Sequence, residues 1–247
     1  MKICVAQTRP IKGNIDKNIE IHHTFIASAA ANGADMIVFP ELSLTGYEPT
    51  LAKELATTQA DKRLGRFQTV SDENDITVGV GLPTQGKTGI LISMILFQPH
   101  QARQTYSKQM LHADELPYFV SGERQIVLTA REITVAPAIC YESLQSEHAA
   151  RAVDQGANVY IASVAKSAKG VAKAFSHYPV IAQKYSMPVL MANCLGPCDD
   201  FEAMGQSAIW NQEGLLIKQQ DDVTEGILLY DTETEKCMTI ALDISNA

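Results

Sequence analysis

The strongest constraint on this chain is a pair of apolar runs that lack the polar alternation of a half-solvated strand. Asp35-Met36-Ile37-Val38-Phe39-Pro40-Glu41 is apolar on both of its faces. Ile133-Thr134-Val135-Ala136-Pro137-Ala138-Ile139-Cys140 reads as a second buried strand, ending in a thiol and followed by a turn into a helix at Tyr141-Glu142-Ser143. A strand with two apolar faces must be covered on both sides, which places it in the interior of a sheet. Lys2 to Gln7, Asn158 to Val164 and Val189 to Asn193 read as further strands of the same kind of sheet.

Between these runs the apolar period changes. Asn14 to Asn32 carries Ile15, Ile19, Ile21, Phe25, Ile26, Ala29 and Ala30 near helical spacing, with Gly33 as its stop. Leu51 to Phe67, Ser146 to Gln155 and Val171 to Tyr185 also read as helices, the last with Pro179 as a candidate kink. Strands alternating with helices predict parallel sheet with helices packed outside. Ile76 to Leu82 and Ile90 to Phe97 read as strands joined through Pro83-Thr84-Gln85-Gly86-Lys87. Ser207 to Trp210, Leu215 to Gln219 and Ile227 to Tyr230 form a later strand series, so some antiparallel pairing is expected as well. Gln104 to Gly122 has no clean period and is expected to be a long functional loop.

The chain's 247 residues suffice for one large α/β domain or two small ones, and no linker, repeat or low-complexity segment divides them. Residues 1–247 are therefore read as a single domain. A net charge of −8 and a pI near 5.2 argue against a nucleic-acid partner, which needs a clustered basic face. No uninterrupted apolar run reaches the roughly 18 residues of a membrane span. The first residues carry no export signal, and the five cysteines are an odd count. A reduced, cytoplasmic protein is the expectation.

Three strand ends or loops each offer one reactive side chain: Glu41, Lys108 and Cys140. A thiol at a strand's carboxyl end faces the crevice where open α/β sheets place their chemistry. It needs a base or a nearby positive charge to become a thiolate. A carboxylate can take that proton and return it to a leaving amine. A lysine can hold charge on an oxyanion, as can backbone N–H groups just past the thiol. Taken singly, each has a plainer reading: a buried core cysteine, a loop carboxylate, a solvated lysine.

Taken together they resemble a family. Phe39-Pro40-Glu41-Leu42-Ser43-Leu44-Thr45-Gly46-Tyr47, then Lys108 with Leu111, then Ile139-Cys140-Tyr141-Glu142 stand in the order and at the separations found in the nitrilase, or carbon–nitrogen hydrolase, superfamily. The resemblance runs from Lys2 to about Gly214. It implies a four-layer αββα sandwich with two mixed β-sheets, which commonly pairs face to face into homodimers or larger homo-oligomers. It also implies Glu41 as general base, Lys108 as oxyanion stabiliser and Cys140 as nucleophile. Glu115, within Asp114-Glu115-Leu116-Pro117-Tyr118, matches the family's second glutamate, which positions substrate and lysine. Tyr47, Tyr141, Glu142 and Lys166 are candidates for the oxyanion site or the pocket wall. The chain departs from common family patterns at Tyr141 to Ser146, at Ser163 to Gly170 and at Met204 to Ser207, the segments that line the family's pocket.

The chemistry so implied is hydrolysis of a small linear amide through a Cys140 thioester, with release of ammonia or an amine. N-carbamoyl hydrolysis by the same residues is the first alternative; a soluble acyltransferase and a non-catalytic binding protein on the same fold are the others. No cofactor is called for. Cys194 and Cys198 invite a metal reading, but they lack a second pair at ligand spacing, and the histidines form no ligand motif. Lys166 and Lys169 either meet an acidic substrate group or are solvated, with Lys166 the one expected to face the site.

Overall fold

The structure, a computed structural model, describes residues 1–244; the last three residues of the expected 1–247 domain lie outside it. The chain begins β1 (Lys2–Gln7), α1 (Ile15–Ala31), β2 (Met36–Val38), the one-turn α2 (Ala52–Leu55), α3 (Gly65–Asn74), β3 (Thr77–Gln85), β4 (Ile90–Phe97) and β5 (Gln104–Ser107). It continues β6 (Leu128–Ala130), β7 (Ile133–Ile139), α4 (Ser146–Asp154), β8 (Val159–Val164), α5 (Ala168–Tyr185) and β9 (Val189–Asn193). Last come the hairpin β10 (Leu195–Cys198) and β11 (Phe201–Met204), then β12 (Ala208–Trp210), β13 (Leu216–Gln219), β14 (Gly226–Asp231) and β15 (Cys237–Ala241).

Two large mixed sheets result. One has the order β15-β14-β1-β2-β3-β4-β5 and the other β13-β12-β9-β8-β7-β6. In each, three central strands are parallel (β1, β2, β3 and β7, β8, β9) and the outer strands pair antiparallel. The period of two along each central strand explains the stacking. Ile3 and Val5 of β1 join a core shared with Val135, Ile139, Val159 and Ile161 of the other sheet. Their neighbours Cys4 and Ala6 face the opposite way, into a core with Ile19, Phe25 and Ile26 of α1. Ala136 and Ala138 of β7 likewise pack with Tyr178 and Ile181 of α5. Three apolar interfaces therefore separate four layers, helix–sheet–sheet–helix, as the two-faced apolar runs require.

Several elements differ from the sequence expectation. The helix expected over Leu51 to Phe67 is broken. Ala56 is extended, the Thr57 N–H donates to the Pro83 carbonyl, and the Thr57 carbonyl accepts from Gln85 N. Here the Asp61 carboxylate accepts from both Thr57 Oγ1 and Arg63 N, offering the backbone an alternative to helix. The following helix starts only at Gly65 and runs to Asn74. The expected loop Gln104 to Gly122 contributes its first four residues to β5, paired with β4. The remainder is closed at its neck, where Gly122 N donates to the Lys108 carbonyl at 2.7 Å. β3 continues through Pro83 to Gln85, where a turn had been expected. α5 runs through Pro179.

The turn after β2 is pressed against β3. A Cβ added to Gly81 would lie 2.5 Å from Leu42 N and 2.6 Å from Pro40 O, backbone atoms that cannot yield. Gly81→Ala is therefore expected to lower the thermal midpoint by roughly 5–10 °C, an overpacking cost of about 2–3 kcal/mol. A calorimetric scan with no change would show that this turn is more compliant than its contacts indicate.

Candidate active site

Glu41 lies just past β2, Lys108 just past β5 and Cys140 just past β7. The carboxyl ends of parallel strands from both sheets thus converge on one place, the usual site of chemistry in open α/β sheets. Lys108 Nζ donates to Glu41 Oε1 at 2.8 Å and to Glu115 Oε1 at 2.5 Å. All three side chains are sealed from solvent. Tyr47 OH donates to Glu115 Oε1 at 3.1 Å, and His112 N donates to Glu115 Oε2 at 2.7 Å. The loop that carries both Lys108 and Glu115 is thereby folded onto the turn that carries Glu41 and Tyr47.

That turn is itself built in. His22 Nδ1 donates to the Asn18 carbonyl at 2.6 Å, which leaves Nε2 to accept from Ser43 Oγ at 2.9 Å. Burial pulls the His22 pKa down to about 3, so the ring is neutral at physiological pH. Ser163 Oγ of β8 donates to the Phe39 carbonyl at 2.8 Å, tying the second sheet to the residue that leads into Glu41.

Cys140 has φ +48°, a left-handed conformation uncommon for a residue with a Cβ. It opens a short 3₁₀ turn, Cys140–Leu144, rather than an α-helix. Ser143 Oγ donates to the Cys140 carbonyl at 2.5 Å and meets Tyr178 OH at 2.6 Å. Glu142 accepts from Ile139 N at 2.7 Å and from Gln109 N at 2.7 Å, and also from Tyr106 OH. These bonds hold the elbow in its strained form and join it to the residue after Lys108. Glu142, expected at the oxyanion site or pocket wall, is fully buried and absent from the wall; its place is beneath the elbow.

A cavity of about 320 Å³ opens above this cluster. Tyr47, Glu115, Cys140, Tyr141 and Lys166 line it, together with Phe201 of β11. Glu41 and Lys108 lie beneath its surface. Phe201, and the β10–β11 hairpin that brings it, were not foreseen. Glu202 and its neighbours Asp199 and Asp200 obscure the short apolar alternation there. On the same hairpin Cys194 Sγ and Cys198 Sγ lie 3.6 Å apart, buried, with Cys194 just before β10.

The electrostatics follow from burial. Burial raises the Glu41 pKa, against the opposing pull of Lys108. Burial alone would lower that of Lys108, but Glu41, Cys140 and Glu115 outweigh it and hold the ammonium charged. Burial and the Glu41 charge push the Cys140 thiol up to about 11, against the pull of Lys166 and Lys108. The resting pair is therefore a thiol beside a carboxylate of strengthened basicity, suited to transfer a proton when a substrate is attacked. A raised thiol pKa means that the folded state holds the proton more tightly than the unfolded chain. Its contribution to stability is present below the ordinary thiol range and is lost as pH rises through about 11. Alkylation of Cys140 by iodoacetamide, read by peptide mass spectrometry, should accelerate about tenfold per unit from pH 7 to pH 10. A plateau reached by pH 8 would show a thiol already ionised.

The sequence profile of the carbon–nitrogen hydrolase family matches residues 2–241. The chain belongs to the carbon–nitrogen hydrolase family. Within this family, which is the nitrilase superfamily of the earlier resemblance, the fold matches a solved amidase, NitN from Nesterenkonia sp. AN1. The TM-score is 0.86 at 22% identity, over 94% of this chain and 92% of that one. A second structure of the Nesterenkonia amidase, a variant in which acrylamide has added to the active-site cysteine, matches with TM-score 0.86 and 22% identity, over 95% of this chain and 94% of that one. Among curated proteins, this chain is similar to the glutamine-dependent NAD(+) synthetases of Synechocystis sp. (26% identical, 92% of this chain, 45% of the relative) and Thermotoga maritima (24%, 98% and 44%). The chain spans less than half the length of these relatives. Among the described residues no helix is long and apolar enough to cross a membrane.

Proposed function

We propose that this chain hydrolyses the carbon–nitrogen bond of a small linear amide through a thioester on Cys140. The observation that carries the reading is the convergence of Glu41, Lys108 and Glu115 beneath a cysteine held at a strained elbow on the cavity floor. A binding protein has no physical use for two carboxylates and an ammonium buried together, since such groups cost stability unless chemistry needs them.

In this mechanism the amide carbon enters above Cys140 Sγ. Glu41 takes the thiol proton as sulfur attacks the carbonyl carbon, whose oxygen becomes an oxyanion. Lys108 Nζ and the backbone N–H of Tyr141 hold that charge; the N–H belongs to the first turn of its helix and has no partner within it. Glu41 passes the proton to the nitrogen, the C–N bond breaks, and ammonia or an amine leaves. Water then gives Glu41 a proton and attacks the thioester carbon, and the proton returns to sulfur as the acid departs. Glu115 acts through Lys108, whose ammonium it orients and keeps charged. No step requires a cofactor, and residues 1–247 are taken as one catalytic domain.

The names of the amidase and of the glutamine-dependent synthetases support amide cleavage, the chemistry common to both. The experiment is ammonia release from a panel of simple amides, ω-amides and N-carbamoyl compounds. It is paired with mass spectrometry of the Cys140 peptide after rapid acid quench. Ammonia together with an acyl adduct on Cys140 supports the reading. Silence across the panel, with no adduct, defeats it, and consumption of amide only when an amine acceptor is added would favour acyl transfer.

A further inference from the structure

Lys166 follows β8, is only 4% exposed, and lines the cavity beside the nucleophile. Its Nζ lies 3.8 Å from Cys140 Sγ. Its position is fixed by its surroundings. Lys166 N donates to Asn193 Oδ1 at 2.8 Å, and Asn193 Nδ2 donates back to the Lys166 carbonyl at 3.2 Å. The aliphatic stem runs over Gly170, where an added Cβ would lie 3.1 Å from Lys166 Cβ and 3.2 Å from its Cγ.

Among the described residues this ammonium makes no ion pair. The acids around the cavity are already engaged: Glu41 and Glu115 by Lys108, and Asp114 by His112 Nδ1 at 2.5 Å. A protonated thiol is a poor partner for a buried charge, and buried charges are ordinarily paired. Lys169 and Lys173, on the first two turns of α5 along the same wall, add positive charge at the mouth. An anion bonded to Lys166 Nζ would sit about 2.8 Å from it. With Nζ 3.8 Å from Sγ, only a short carbon chain fits between that anion and the carbon under attack.

We propose that Lys166 is the anion-binding residue of the pocket and that the substrate is the half-amide of a short dicarboxylic acid, with its carboxylate on Lys166. The identity of the scissile bond rests on the amide-hydrolase reading above; the anion site does not. A flexible two- or three-carbon chain spans the separation between Lys166 Nζ and Cys140 Sγ.

The test has a binding arm and a turnover arm. In calorimetry, succinate should bind wild type at least about tenfold tighter than neutral succinamide, and Lys166→Met should abolish that preference. In turnover, Lys166→Met should lower kcat/KM for succinamate at least about tenfold more than it lowers that for butyramide, and Lys166→Arg should restore part of that difference. Equal binding of succinate and succinamide by wild type overturns the proposal without any variant. An equal fall for succinamate and butyramide also overturns it, because Lys166 would then serve the thiol and not the substrate. If no amide is turned over while succinate binding still depends on Lys166, the hydrolase reading fails and the anion site stands.

Discussion

Cys140→Ala is expected to lower amide turnover by about 10⁴-fold or more while leaving the fold intact. The Cys140 thiol lines the cavity and, in the proposed scheme, is the group that Glu41 activates and that carries the acyl intermediate. The side chain is partly exposed, so its loss opens little cavity. Alanine accepts the +48° backbone conformation no worse than cysteine does. The thermal midpoint should therefore move by less than the equivalent of about 1 kcal/mol. Cys140→Ser should be nearly as inactive, because a hydroxyl is a far weaker acid than a thiol and Glu41 cannot ionise it. The measurement is single-turnover ammonia release beside a calorimetric scan. Retained turnover in either variant would place the nucleophile elsewhere and sink the thioester scheme.

Lys108→Met should be the most disruptive of these changes to stability and should lower activity as well. It removes the cation between Glu41 and Glu115 and leaves two sealed carboxylates on a shared site. Breaking a buried ion pair from one side costs about 3–5 kcal/mol. Turnover should fall at least about 10³-fold, through loss of the proposed oxyanion donor and of the charge that favours ionised Glu41. The pH dependence distinguishes this account from lost packing. Two carboxylates without their cation have raised pKa values, so the stability held by their protonated forms is present at low pH and is lost as pH rises. The deficit of the variant relative to wild type should accordingly shrink on acidification from pH 7 to pH 5. A deficit constant across that range would mean that only the packing of the lysine stem had been removed.

How much of this was visible in the chain differs from residue to residue. Glu41, Lys108 and Cys140 could be singled out because each ends an apolar strand or follows one, and because three such blocks in order resemble one family. The strands and the long helices were legible for the same reason: Ile133–Ile139 and Ile15–Ala31 carry their periods over many residues. The segment after Leu51 misled because its composition suits a helix, whereas the Thr57 backbone pairs with β3, a partner distant in sequence. Glu142 looked like a pocket residue because it stands two places from the nucleophile. The 3₁₀ turn instead directs it inward, to the backbone of Ile139 and Gln109. Phe201 gave no signal, since its hairpin is only four residues per strand and is interrupted by the acidic turn Asp199-Asp200.

The sequence by itself determined the reagents and the layers. Two-faced apolar strands with amphipathic helices between them demand sheets covered on both sides, and the residues at their ends are a carboxylate, an amine and a thiol. Only the tertiary structure decided how those reagents meet. Lys108 and Glu41 are 67 positions apart, and Lys166 and Cys140 are 26 apart. Their contacts depend on which strands lie side by side and on how one sheet is stacked on the other. Local patterning carries no information about such separations, because a side chain's period reports the face it buries and not the partner it finds there.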